Sequence, residues 1–452
     1  MNIQTEQLQN HTARMVVEFD IERLAQAKKT AAQKISKSVN IPGFRKGKAP
    51  YNIIAKYVGE AAIIDDAMEL ISNDIYKEAL GESGLDPYGP GSVDKYDLEP
   101  VPTLTFSVPL QPKVDLKDYR AVRVPYVKKD ITDEDVERSM RTLLLEHAVI
   151  EESQKPAALG DRVTLDIHSF VLPAEGSEDG EKEEFIHTHD GHFVLNADDE
   201  IAPGFNAALV GVVPGDKREF ELTLPDDDAQ FPGRRVSFEV GVKKVENVTL
   251  PVLNDDFAAR VTGKEEKPLT LLELRLRLRE NLERMREEVV DEGYFTDVLQ
   301  AIIDQAEILY PEAVVADQIE DMMRRFDERL REQNKLTLRD YLQITRITPE
   351  QLYAQYKPAA EASVKRALVM REIARAENLV ISDDEIAAEQ TRLVATFGED
   401  EAAQTQAQTL FAHPMMQDQL RETLTRRRVE ERIMAIGKGE APELVADVPA
   451  SE

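Results

Sequence analysis

Three of the seven histidines fall within one short stretch, so metal chemistry is the first possibility to weigh. The stretch Phe185-Ile186-His187-Thr188-His189-Asp190-Gly191-His192 places imidazoles two or three residues apart around one carboxylate. Such groups bind divalent transition metals when a strand holds them on one face. However, the stretch has the composition of a loop, follows the polar run 175–184 and lacks a separated fourth ligand. We therefore predict solvated histidines, with no metal site and no cofactor.

The other reactive side chains give no pattern typical of covalent catalysis. His11, His147, His168 and His413 are scattered along the chain, and there is no cysteine. The sequence thus excludes disulfides, thiolate nucleophiles and Cys-ligated metals, and it has no glycine loop of phosphate-binding form. Any catalysis must use other groups.

A second candidate site is a basic segment on an acidic chain. The chain of 452 residues has 86 acidic and 56 basic side chains and a net charge of −30, which excludes general nucleic-acid binding and a DNA partner. From Arg23 to Gly59 it has no acid and nine cations: Arg23, Lys28, Lys29, Lys34, Lys37, Arg45, Lys46, Lys48 and Lys56. The pattern favours docking on RNA or a nucleoprotein surface. The alternative is a solvated lysine-rich helix face.

Within this segment, residues 41–50 combine an aromatic side chain, three cations and two glycines. The glycines permit a tight backbone, and an exposed Phe beside Arg can anchor in a pocket lined by phosphates. The candidate binding residues are Gly43, Phe44, Arg45, Lys46, Gly47, Lys48 and Pro50.

The elements that position these residues follow from periodicity. Alternation over Thr12 to Phe19 predicts a strand, and helical spacing over residues 21–39, after Pro50 and over 61–80 predicts three helices. Farther along, residues 160–248 form short alternating runs, whereas 264–436 contain only two glycines and predict long helices starting near Pro268, Pro311, Pro349 and Pro414. The predicted domains are 1–111 (α+β), 112–155 (linker and connecting helix), 156–248 (β-rich), 249–436 (helical) and 437–452 (flexible tail).

The run Gly43-Phe44-Arg45-Lys46-Gly47-Lys48-Ala49-Pro50 closely resembles the ribosome-docking signature of the trigger factor family of bacterial chaperones. The domain order agrees over essentially the whole chain. The resemblance implies a multidomain α+β fold: an N-terminal α+β ribosome-binding domain with a helical hairpin, a small β-rich FKBP-like domain, and an all-α C-terminal domain with arms. It also implies that Phe44, Arg45 and Lys46 contact the large ribosomal subunit near the tunnel exit, that nascent and unfolded polypeptides are the clients, and that a homodimer can form off the ribosome.

The resemblance further implies a prolyl cis-trans isomerase in the middle domain. This reaction twists an amide and needs an apolar pocket rather than a nucleophile. The matching wall residues are Phe193, Ile201, Phe205 and Phe238, and their alternative role is the core of a small β domain. Ile167 and Ala202 are smaller than the side chains that the family usually has at these positions. The acidic loop 225–231 lacks the usual Tyr unless Phe231 replaces it. We therefore expect weak activity, lost in Phe205→Ala while the domain stays folded.

Seven of the eleven methionines lie in the helical region. Methionine adapts to varied apolar partners, although it more often fills a core. The adjacent pairs Met322-Met323 and Met415-Met416 are the best candidates for client contact, because adjacent helical residues do not face the same core.

Two other functions stay open: a free prolyl isomerase, and a helical scaffold that binds one defined partner without docking on the ribosome. The N-terminus has neither a basic region nor an apolar one of signal-peptide type, and no apolar run approaches a membrane span. We expect a soluble, cytoplasmic protein without a membrane partner.

Overall fold

The computed structural model describes residues 1–172, 183–196, 200–226, 228, 230–263, 267–398 and 401–443. These form two compact units, one made of Met1–Val127 with Asp291–Glu452 and the other of Lys128–Val290. The border at 127/128 falls inside the segment predicted as a linker, and the five-domain division stays a prediction. None of the helices in the described ranges has both the length and the hydropathy required to cross a membrane.

The N-terminal part of the first unit is an antiparallel sheet covered by helices. Alternating side chains of the central strands, such as Met15 opposite Phe106, are buried against Leu24, Met68 and Ile75 of the helices. Strand order is β1-β2-β4-β3. The elements are β1 Asn2–Gln7, β2 Thr12–Glu18, α1 Ile21–Ser38, α2 Tyr51–Val58, α3 Glu60–Ser83, β3 Ser92–Asp97 and β4 Thr103–Pro109.

A second small core lies where α1, α2 and α3 meet. Three alanines of α1 let the helices approach closely, and Ile54 and Ile63 fill the space between them. Ile41, which follows α1, is buried in the same core. The predicted helical hairpin is therefore packed at its base, and the chain between α1 and α2 is held by Ile41.

The C-terminal part of the first unit is helical, as predicted. Helices begin directly after Pro311 and at Pro349 and Pro414, where a missing N–H costs little, and the helix expected near Pro268 begins at Leu271. The elements are β5 Lys113–Asp115, a 3-10 turn Tyr119–Ala121, the end of α7 Leu271–Gln305, β11 Glu307–Leu309, α8 Glu312–Arg329, a π turn Leu330–Asn334, α9 Leu338–Thr345, α10 Pro349–Ala376, α11 Asp383–Ala395, α12 Glu401–Phe411 and α13 Pro414–Lys438.

The helical core includes a segment from much earlier in the chain. Strands β5 and β11 pair antiparallel, with Val114 opposite Ile308, and Tyr119 packs with α7, α10 and α13. These contacts join the segment predicted as a linker to the helical region.

Helix α13 extends two residues past position 436, into the segment predicted as a tail. A Cβ at Gly437 would lie 2.5 Å from Val298, so only glycine lets the helix pack this closely. The described tail residues include Pro442, whose carbonyl accepts a 2.5 Å hydrogen bond from Arg120.

The second unit contains an antiparallel sheet in which one long strand, β10, pairs with β6, β7 and β9, while β8 pairs with β7. Its core, with Ile167, Phe205 and Phe238 at its centre, is separate from a smaller cluster around Phe257. Thr132 caps α4 through a reciprocal bond with Asp135. The elements are α4 Asp133–Glu146, β6 Val149–Ser153, β7 Arg162–Val171, β8 Glu183–Val194, α5 Phe205–Leu209, β9 Lys217–Thr223, β10 Arg235–Thr249, α6 Asp255–Val261 and the start of α7.

The architecture confirms the predicted fold class of a multidomain α+β protein with an all-α C-terminal region. One local prediction is wrong. The histidine stretch 185–192 is not a loop but most of β8, which pairs with β7 over nine register positions. Cross-strand hydrogen bonds to β7 override the polar composition of the stretch.

Candidate functional site

The loop between α1 and α2 is built from two tight turns. The Phe44 N–H donates to the Ile41 carbonyl at 3.2 Å, and the Lys48 N–H donates to the Arg45 carbonyl at 3.0 Å. Gly47 lies at φ +74° and donates to the Ser36 carbonyl at 2.8 Å, which ties the loop back to α1. This φ favours glycine, and a Cβ here would lie 3.1 Å from Lys37.

These turns present the predicted binding residues together on one exposed loop. Phe44 has 40% of its surface exposed, although a large aromatic side chain is normally covered. Gly43, Arg45, Lys46, Lys48 and Pro50 are also exposed, and Gly47 is half-buried.

The positive charge of the hairpin is concentrated toward this loop. Arg23 forms a bidentate ion pair with Glu78 at 2.7 and 2.9 Å, and Lys28 pairs with Glu60 at 2.6 Å. Within the described ranges, the other seven cations of the segment have no carboxylate within 4.0 Å. The acids of α3 therefore neutralise two of the nine cations and leave the loop and its flanks positive.

The predicted isomerase residues lie together in the second unit. Ring centroids of Phe205 and Phe238 are 5.2 Å apart, and Phe193 lies 6.3 Å from Phe205. Phe205 and Phe238 have no exposed surface, whereas Phe193 and Ile201 are half-buried. Phe205→Ala would therefore remove a core side chain, at a cost of about 3–5 kcal/mol. This burial argues against the expectation of an inactive but folded variant.

Two aromatic residues of this cluster were missed by sequence reasoning. Phe220 of β9 stacks on Phe238 at 5.5 Å, and Phe185 of β8 lies 6.2 Å from Phe238. The alternating patterns of β8 and β9 indicate that Phe185 and Phe220 lie on one face of their strands. Their proximity to Phe238 depends on strand pairing.

The acidic loop contributes one further ring. Phe231, the residue considered in place of the usual Tyr, packs edge-on against Phe185 at 6.1 Å. Asp227 and Ala229 of the same loop lie outside the described residues.

The candidate client residues differ in exposure. Met415 is 72% exposed at the start of α13, and Met416 is half-buried. Met322 and Met323 are both half-buried against one small core, so the argument that adjacent residues avoid a shared core fails here. Met323 also lines an open groove of about 780 Å³ together with residues of α9 and the chain that follows it: Leu338, Leu342 and Ile347.

Comparisons with known proteins match this chain to a single family. Residues 1–143 match the family model described as "Bacterial trigger factor protein (TF)", and residues 270–435 match "Bacterial trigger factor protein (TF) C-terminus". Trigger factor of Bacillus mycoides (strain KBAB4) is 30% identical over 404 residues, which is 88% of this chain and 92% of the relative. Trigger factor of Dehalococcoides mccartyi (strain CBDB1) is 28% identical over 435 residues, covering 95% and 93%.

A solved structure described as "Promiscuous Substrate Recognition in Folding and Assembly Activities of the Trigger Factor Chaperone" aligns with a TM-score of 0.48 and 21% identity, covering 96% of this chain and 99% of that one. The two family models and the long sequence matches establish the family without this structural alignment. The chain therefore belongs to the trigger factor family of ribosome-associated chaperones.

Proposed function

We propose that this chain docks on the large ribosomal subunit near the tunnel exit, in the cytoplasm, through the loop at residues 41–50. There it holds nascent polypeptides in an unfolded, folding-competent state. The observation that carries the proposal is Phe44, exposed on a loop held by Ile41 and flanked by Arg45 and Lys46, neither of which has a carboxylate partner in the described ranges.

The loop suits a surface of RNA and protein for two physical reasons. Cations without partners gain free energy by displacing counterions from phosphates, whereas ion-paired cations must first break their existing contacts. An exposed aromatic ring can fill an apolar pocket and thereby fix the position of the loop. The two turns already hold the loop in one shape, which reduces the entropy lost on docking.

Co-sedimentation with bacterial ribosomes tests the docking site. We expect Phe44→Ala, Arg45→Ala, Lys46→Ala to remove salt-sensitive binding. A matched control, Phe397→Ala, Lys365→Ala, Arg366→Ala, removes an exposed Phe, a Lys and an Arg from the helical region and is expected to bind normally. Equal binding of the two triple variants would contradict docking through this loop, and absence of binding by the native chain would favour the free isomerase or scaffold.

The helical region is the proposed client surface, with Met322, Met323, Met415 and Met416 among its contacts. Its large apolar side chains include Ile344 at 68% and Leu410 at 56% exposure, in addition to Met415. Exposed apolar groups rimmed by charge favour weak and unselective contacts with unfolded chains.

Suppression of the aggregation of a chemically unfolded test protein measures this activity. We expect Met323→Ser, Met415→Ser to protect less well than the native chain, whereas Met285→Ser, which changes an exposed methionine of α7, retains protection. Full protection by the double variant would exclude these methionines as client contacts.

A weak prolyl isomerase activity belongs to the same proposal. The half-buried Phe193 and Ile201 form the accessible wall, and the buried Phe205 and Phe238 support it from behind. Ile167 and Ala202 are also buried, so these two positions provide no larger side chain to enclose the amide.

Turnover of a proline-containing test peptide checks this wall. Ile201→Ala is expected to lower turnover several-fold without unfolding the unit, because Ile201 is only half-buried. The exposed Val210→Ala serves as a matched aliphatic control. Unchanged turnover in Ile201→Ala would remove this residue from the site.

A homodimer off the ribosome is the remaining part of the proposal. The same exposed apolar side chains would be covered in a dimer when neither ribosome nor client is present. Sedimentation equilibrium over a range of concentrations is expected to show a monomer–dimer exchange that added unfolded client shifts toward monomer.

A further inference from the structure

Three histidines from two paired strands of the second unit meet on one face of the sheet. His168 of β7 lies directly opposite His187 of β8, and His189 follows two residues later. Each offers a ring nitrogen, and these nitrogens all lie within 4.8 Å of one another. His168 precedes His187 by 19 positions in the sequence, so strand pairing alone brings the three rings together.

The distance between two of the rings fits a shared metal ion. The Nε2 atoms of His187 and His189 are 3.2 Å apart. Two nitrogens bound to a tetrahedral zinc ion at about 2.0–2.1 Å lie about 3.3 Å from each other. The ring centroids of His168 and His187 are 3.8 Å apart, so the third imidazole adjoins the same point.

The opposite nitrogens of both rings face carboxylates. His187 Nδ1 lies 2.9 Å from Glu184 Oε1, and His189 Nδ1 lies 3.5 Å from Asp166 Oδ1. A carboxylate only accepts hydrogen bonds, so the tautomer with the proton on Nδ1 directs that proton toward the carboxylate and leaves the Nε2 lone pair for a metal ion. In that tautomer the two Nε2 atoms, 3.2 Å apart, can bind one metal ion together, and the third imidazole lies beside the same point.

The carboxylate behind His189 is itself held in place. Lys243 Nζ lies 2.8 Å from Asp166 Oδ1, and the Asp190 N–H donates to the same oxygen at 3.0 Å. Carboxylates that orient imidazole rings in this way are the usual outer partners of histidine metal ligands.

We propose that His168, His187 and His189 bind a divalent transition metal, with Zn²⁺ as the best fit. Three neutral imidazoles suit zinc, and a fourth position remains for water or a carboxylate. Glu239 of β10 lies opposite His168 in register on the other side of β7 and is a candidate for that position. The bound ion ties β7 to β8 and stabilises the second unit, because it binds only the folded arrangement.

Zinc affinity of the full chain, measured by competition with a chromophoric chelator, tests the site. We expect His187→Ala, His189→Ala to bind roughly 100-fold more weakly than the native chain. The matched control is His192→Ala, which removes an exposed histidine of the same strand outside the cluster and is expected to leave the affinity unchanged. Circular dichroism without metal verifies that each variant is folded.

Two further readouts separate a metal site from chance contacts. Glu184→Gln is expected to weaken zinc binding by about 10-fold or more while Co²⁺ still gives the visible absorption of a tetrahedral site. Zinc is also expected to raise the melting temperature of the native chain and not that of the double variant. Equal affinity of the native chain and the double variant, or equal loss in His192→Ala, would overturn the proposal.

Discussion

Glu377, at the end of α10, has a side chain with no exposed surface. It accepts hydrogen bonds from the Tyr119 hydroxyl at 2.7 Å and from Arg432 at 2.5 Å, and Arg120 lies 3.0 Å away. The three partners come from the segment after β5 and from α13, so one side chain joins parts of the chain that are far apart in sequence. Burial and the nearby carboxylate raise the pKa of the Tyr119 hydroxyl above its ordinary value, so the hydroxyl stays protonated and donates.

Glu377→Ala leaves two half-buried arginines and a buried tyrosine hydroxyl without their shared acceptor. We expect the free energy of unfolding to fall by about 2–4 kcal/mol, somewhat less than for a fully buried pair because the arginines keep some contact with water. Urea denaturation followed by tyrosine fluorescence measures the loss. Asp418→Ala breaks only the exposed pair with Arg421 and should cost less than about 1 kcal/mol, and equal losses in the two variants would contradict a central role for Glu377.

Gly47 gives a second prediction at this scale. Gly47→Val must adopt a left-handed backbone, which costs about 1–2 kcal/mol, and it also crowds Lys37. If the loop docks in the shape described, ribosome affinity should fall by roughly 5–30-fold. Gly81→Ala, inside α3 with open space around it, is the control and should bind normally. Full affinity of Gly47→Val would show that docking does not require this turn.

The residues of the proposed docking loop could be grouped from sequence because they are contiguous. The histidine cluster could not, since His168 belongs to a different strand and its pairing with His187 depends on register. The proposed isomerase wall is an intermediate case: the sequence suggested four aromatic or aliphatic residues, and Phe185 and Phe220 join them only through the sheet.

At the scale of elements, several helices of the helical region begin with a side chain that caps the helix. The N-cap side chains of Thr337, Thr348 and Ser382 each accept a hydrogen bond from a backbone N–H three residues later. Proline near a helix start is a local signal of the same kind, which explains why several helix starts were predictable. The short strand pair of β5 with β11 was not, because three residues carry no periodicity.

Glu385 joins the start of α11 to α13 and predicts a pH dependence. Arg428, followed by hydrogen bonds from Ser382, lowers the pKa of Glu385 from 4.5 to about 2. A lowered carboxylate pKa stabilises the folded state above the unfolded pKa, and this contribution is lost as the pH falls from 4.5 toward 2. The melting temperature of Glu385→Gln should therefore lie below that of the native chain at neutral pH, with the gap closing near pH 2. The exposed Glu422→Gln should show no such gap, and a gap that persists in acid would contradict the assignment.

At the scale of the whole molecule, charge is divided unevenly. The segment from Arg23 to Gly59 carries nine positive charges within a chain of net charge −30, so the remainder carries −39. An acidic remainder is repelled by RNA, which limits attraction to the hairpin and thereby orients the protein as it approaches a phosphate-rich surface.

This arrangement predicts a defined salt dependence. Arg45→Ala, Lys46→Ala should lower the slope of log affinity for ribosomes against log salt by about 2, because each lost phosphate contact removes close to one unit. Binding measured at several salt concentrations gives the slope. Removing Lys365 and Arg366 instead should leave it unchanged, and an unaltered slope in the loop variant would mean that neither cation contacts phosphate.

The strand pair of β5 with β11 has a consequence for how this protein is itself made. Val114 must pair with Ile308, and the core around Tyr119 closes only with residues near Ile436. During synthesis, the N-terminal sheet and the whole second unit emerge before these partners exist. For most of its own translation, the chain therefore exposes the apolar side chains after β5, such as Leu116 and Tyr119, in the same incomplete condition as the polypeptides that we propose it protects.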